Sequence, residues 1–173
     1  ELGTNQWIAA LMNNVTKNPI LLLVWVSGIM ALARQFGGTL IHNMKPTVVL
    51  LVSAFLAFTG LLMLGYMSGN MIFAAAAVFA LGVAFFWPSM LGYVSENIPT
   101  SGALGLAIMG GVGFLGGAIA QPALGAIFDA QTALKMGDTL AAGAITLRYV
   151  AIVPALLIVA FTFLYLQKGK KAS

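Results

Sequence analysis

The chain has 173 residues, of which 61% are hydrophobic and only 7% charged, with a formal net charge of +4 and a mean hydropathy of +1.01. Eight Lys/Arg and four Asp/Glu cannot cover a soluble surface, and disorder requires the opposite balance of low hydrophobicity and high charge. That leaves an integral membrane protein: at about 20 apolar residues per crossing, the length holds about five to six helical spans and no separate soluble domain.

The first segment, 1–12, is half a span long and reads ELGTNQWIAALM. Asn13, Asn14, Lys17, Asn18 and Pro19 form the turn that follows, with Pro19 placed to open a helix. The second span, 20–41, is apolar through ILLLVWVSGIMALA, is interrupted by Arg34 and Gln35, and closes at His42, Asn43, Lys45 and Pro46. The third, 47–67, carries no charge. The fourth, 71–94, contains Pro88 and ends at Ser95, Glu96, Asn97 and Pro99. The fifth, 103–128, is glycine-rich and contains Gln121-Pro122. A longer polar connection over 129–146 holds Asp129, Lys135 and Asp138, and the sixth span, 147–166, starts with Arg148. The apolar runs are continuous, without the period-2 alternation of a barrel strand, so the expected architecture is all-α.

Alternating the connections puts Arg34, Lys45, Lys168, Lys170 and Lys171 towards one side and Lys17, Lys135 and Arg148 towards the other. The excess of basic residues predicts that the first group, with the C-terminus, is cytoplasmic. Glu1 lies 12 residues before Asn13, which is roughly 18 Å at helical rise and close to mid-bilayer. A chain starting at that depth with a charged residue leads to the expectation that further residues precede it. No basic region stands before an apolar core, so the start does not read as a signal peptide.

The few polar residues inside the spans are the candidates for function. Glu1 and Asn5 share a helix face, with Gln6 beside them. A carboxylate at that depth reads as a proton-titrating or solute-binding group, or as a structural carboxylate paired to another helix. Trp7 and Trp25 read as interfacial anchors or as stacking platforms for a solute ring. Arg34 sits eight residues before His42. It reads as a buried gate paired with Glu96, or as a side chain snorkelling to the interface; His42 itself reads as a solvated end residue.

Pro88 predicts a kink in the fourth span, with Trp87 near mid-membrane as a cavity wall or a lipid-facing aromatic, and with Ser89 and Tyr93 sharing one face. Gly113, Gly117 and Gly125 lie at four-residue multiples on one stripe, the spacing for close helix packing. Gln121 is on the same stripe and needs a polar partner or water. The chain has no Cys, one His and four well-separated acids, so neither disulfides nor a metal site nor a cofactor is expected. The basic residues are too few and too scattered to track nucleic acid. No nucleophile–base set or phosphate loop is present, and the chain does not read as an enzyme.

The stretches ALARQFGGTLIHNMKP (31–46), GVAFFWPSMLGYVSENIPTSGALG (82–105) and GFLGGAIAQPALGAIFD (113–129) resemble helices eight, ten and eleven of a major facilitator superfamily transporter. The opening ELGTNQWI is similar to helix seven of bacterial fucose-permease-like sugar transporters. The resemblance covers essentially the whole chain. It implies the C-terminal six-helix half of a twelve-helix fold, built as an inverted pair of three-helix repeats. It further implies a small polar solute such as a sugar, a proton as candidate coupling ion, and a partner N-terminal half. The location implied is the bacterial inner membrane. Gly38 to His42 echoes Gly125 to Asp129 three spans later, as inverted repeats would. A competing reading is a non-transporting helix-packing or assembly module, for which the glycine stripe is sufficient.

Overall fold

The computed structural model describes residues 19–41, 44–67 and 69–171. Among the described residues, 91% are helical and none lies in a strand. The helices are α1 (Pro19–Ile41), α2 (Pro46–Tyr66), α3 (Met71–Ala84), α4 (Phe86–Asn97), α5 (Gly102–Leu134), α6 (Thr139–Val150) and α7 (Ile152–Lys171), with a 3-10 turn at Pro99–Ser101 between α4 and α5. Among the described residues, five stretches are long and apolar enough to cross a membrane: Ile20–Gly38, Pro46–Tyr66, Met71–Asn97, Pro99–Leu134 and Ala141–Gln167. The expected half-span 1–12 lies outside the described residues.

Prolines set the boundaries. Pro19 and Pro46 open α1 and α2, where a missing N–H leaves no bond unmade. Inside a span, proline removes the bond to the carbonyl four residues back. Pro88 and Pro154 do this to Ala84 and Val150, the residues at which α3 and α6 end. The fourth and sixth spans are therefore each two helices meeting at one non-helical residue, Phe85 or Ala151.

The expected polar connection over 129–146 is instead mostly helix. α5 runs on through Ala130, Gln131, Thr132 and Ala133 to Leu134, good helix formers apart from Thr132, whose hydroxyl donates back to the Phe128 carbonyl at 2.8 Å. It ends in a Schellman turn: the Gly137 N–H donates to Thr132 O at 2.9 Å and the Met136 N–H to Ala133 O at 3.3 Å. Both turn residues have positive φ, 55° at Met136 and 87° at Gly137. Asp138 then caps α6, its Oδ1 accepting the Ala141 N–H at 3.1 Å.

α2 is the hub. It packs against α3 and α4 and against α6 and α7, while α1 packs on α3. The α2–α3 contact is the closest: a Cβ on Gly60 would run into the Phe79 backbone, and one on Gly82 into the Ala57 backbone. Leu22 and Val26 of α1, Leu61 and Leu64 of α2, and Ile72 and Phe79 of α3 fill the interface around it. A smaller cluster of Leu50, Ala54 and Phe161 joins α2 to α7. Between lipid-facing helices the gain is van der Waals contact rather than escape from water, so backbone proximity at glycine is the effective device. α5 differs from the rest. None of its 33 residues is buried, and at about 50 Å it exceeds the roughly 30 Å of hydrocarbon that one span must cross.

Candidate functional site

The α3–α4 elbow is where the polar residues converge. With Pro88 lacking an N–H, the Ala84 carbonyl loses its helical donor, and in an apolar surrounding an unpaired carbonyl is costly. Arg34 of α1 supplies the replacement: its Nε donates to Ala84 O at 2.9 Å. One turn further along α1, Gly37 lies under the Phe85 ring so closely that a Cβ there would run into it. Arg34 and Gly37 are three apart, hence on one face, and that face holds the elbow.

Below the elbow opens a cleft of about 360 Å³ between the end of α1, the start of α2 and α4. Arg34, Phe85, Pro88, Ser89 and Glu96 line it. Ser89 is buried, whereas Glu96 stands exposed at the end of α4. The cleft offers a guanidinium, a hydroxyl and a carboxylate against an apolar wall, a set suited to small polar groups. The structure thus brings together Arg34, Pro88, Ser89 and Glu96 at one cleft, and the helix is interrupted at Phe85, three residues before Pro88.

Trp87 does not line the cleft. It is 41% exposed and turns towards α5, where a Cβ on Gly110 or Gly113 would lie 3.8 Å from its ring. That is ordinary contact, so those glycines are not required by Trp87. A Cβ on Gly117 would meet no described atom within 4 Å. Gln121 and Gly125 are half-buried further along α5. Glu1, Asn5 and Gln6, with Trp7 and His42, lie outside the described residues.

Two contacts at the opposite end of the bundle have no counterpart among the sequence expectations. Arg148 of α6 donates from Nε at 2.9 Å and from Nη2 at 2.7 Å to the Gly65 carbonyl, in the last turn of α2. Its guanidinium also lies 3.8 Å from the centroid of the Tyr66 ring. A helix C-terminus presents unpaired carbonyls and partial negative charge, so a cation there both caps and neutralises. Trp25 donates its indole N–H to Phe73 O at 3.0 Å and meets the Phe73 ring edge-on, with centroids 6.4 Å apart. This ties α1 to the start of α3. The signal for Arg148 is a lone cation at a span end, which basic-residue counting assigns to topology alone. For Gly60 and Gly82 the signal is glycine inside an otherwise apolar helix, where it is disfavoured unless packing requires it.

The five apolar helices place the chain in the class of proteins whose helices can cross a membrane several times. Compared with known proteins, the chain matches no family model, no curated protein and no solved structure.

Proposed function

We propose that the chain is the C-terminal six-helix half of a major facilitator-type secondary transporter, moving a small polar solute of the sugar class by alternating access. The observation that carries this reading is the interrupted helix α3–α4, with a guanidinium on its freed carbonyl beside a polar cleft. Discontinuous membrane helices with polar groups at the break are the elements from which transport pathways are built. The proposed solute contacts are Glu1, Asn5, Gln6, Trp87 and Gln121, with Arg34 and Glu96 as an ion-pair gate across the cleft and Pro88 as the hinge. A proton is the proposed coupling ion, and no cofactor or catalytic step is involved. The proposed setting is the bacterial inner membrane, with the C-terminus cytoplasmic.

The packing of α5 supports the proposed N-terminal partner. In an inverted repeat, α5 corresponds to α1, and α1 packs on the first helix of the other repeat. α5 is unburied along its whole length, and its open face suits another six-helix half. The glycines Gly113, Gly117 and Gly125 then serve close helix approach there.

Uptake of labelled sugars into cells expressing the full-length transporter tests this reading. The expected result is saturable uptake that loses its pH dependence in Glu1→Gln, with no uptake by residues 1–173 alone. Transport and pH dependence unchanged by Glu1→Gln would remove the carboxylate from the mechanism. The assembly-module reading is favoured by one observation, the unburied glycine-rich α5. Robust oligomers without solute flux would support it instead.

A further inference from the structure

We infer that Arg34 is a latch on the α3–α4 elbow: it replaces, from another helix, the hydrogen bond that Pro88 denies to Ala84. This inference stands apart from the transport reading and gives Arg34 an acceptor other than Glu96. Three observations converge on it. The carbonyl orphaned by Pro88 is by helical geometry that of residue 84, and Arg34 Nε donates to that oxygen at 2.9 Å. The backbone at Phe85, φ −101° and ψ −4°, departs from helical values by about 40° in each angle, so the interruption is confined to this one residue between two helices. Gly37, one turn from Arg34, seats the Phe85 ring against α1.

The consequence is mechanical. While the guanidinium holds Ala84 O, α1 and the elbow move as one body. The elbow changes its angle only when that bond opens, and Phe85 then leaves its seat on Gly37. A proline hinge without such a donor would leave its carbonyl to water or to local rearrangement. Here the hinge has a fixed partner, and the polar cleft lies directly beside it. Arg34 is thus a positioning residue for the hinge.

A double-mutant cycle isolates the interaction. In Pro88→Ala the residue-88 N–H returns and takes Ala84 O, so the latch becomes redundant. Thermal unfolding of the purified protein in detergent is measured for wild type, Arg34→Met, Pro88→Ala, the double variant and Glu96→Gln. Arg34→Met is expected to lower Tm by about 5 °C in the wild-type background, the scale of one unsatisfied acceptor in a chain of this size, and to lower it distinctly less in the Pro88→Ala background. Glu96→Gln is expected to leave Tm at the wild-type value. Equal losses in both backgrounds would overturn the latch, as would a loss in Glu96→Gln matching that of Arg34→Met. If Arg34→Met does not fold, Arg34→Lys and hydrogen exchange over Phe86 to Gly92 give the same decision. Exchange is expected to quicken in Arg34→Lys only when residue 88 is proline, and exchange that quickens equally in the Pro88→Ala background would overturn the inference.

Discussion

Arg148 shows what one cation can do inside a bundle with so few charges. It donates twice to the Gly65 carbonyl and covers the Tyr66 ring, and Gly65 leaves room for it, since a Cβ there would sit 2.8 Å from the Arg148 Cγ. Arg148→Met keeps the apolar stem but strips every donor. It is expected to destabilise the protein by about 2 kcal/mol, read as a lower unfolding temperature, because a charge-assisted bond and a cation–π contact are lost together. Arg148→Lys retains the charge with a single point donor and should fall between the two. At this scale, sequence reading reaches the identity of the polar residues but not their partners. That Ala84 would lack a donor follows from Pro88 by counting back four. That Arg34 would supply one depends on how α1 lies across α3, which no local pattern encodes.

At the scale of elements, the starts of α1, α2 and α3 are where polar turns and prolines predict them, because those signals act locally on the backbone. The end of α5 and the start of α6 are not. The residues from Ala130 to Ala133 have helical propensity, but the charges around them read as a loop, and the helix stops only where Met136 and Gly137 take positive φ. Met136 is fully exposed, so its left-handed conformation is stabilised by no packing. Met136→Gly is expected to stabilise the protein by about 0.5–1 kcal/mol, measured as a rise in unfolding temperature, since glycine adopts that conformation without steric strain. The closest helix contact also lies elsewhere than the sequence suggests. The stripe of glycines on α5 is conspicuous, yet the backbones that touch are those at Gly60 and Gly82, each embedded in a uniformly apolar run where helical phase is illegible.

For the whole molecule, the apolar fraction and the number of long apolar runs suffice to define a multi-span helical protein. The site is legible only in part: Arg34, Pro88, Ser89 and Glu96 share one cleft, whereas Trp87 faces α5. Trp87 and Ser89 are two residues apart, and on a helix that spacing points them to different faces. The proposed orientation is directly testable because the chain contains no cysteine. With the C-terminus cytoplasmic, Met136→Cys at the α5–α6 turn should react with a membrane-impermeant maleimide in intact cells, and Thr100→Cys at the α4–α5 turn only after permeabilisation. The reverse pattern would invert the topology. The central claim, that this bundle is half of a carrier for a small polar solute, is tested most directly by flux. Full-length protein reconstituted into proteoliposomes should take up at least one sugar of a labelled panel with saturation, and more under an inward proton gradient. A folded, correctly inserted protein that moves none of the panel, with or without the gradient, would contradict it.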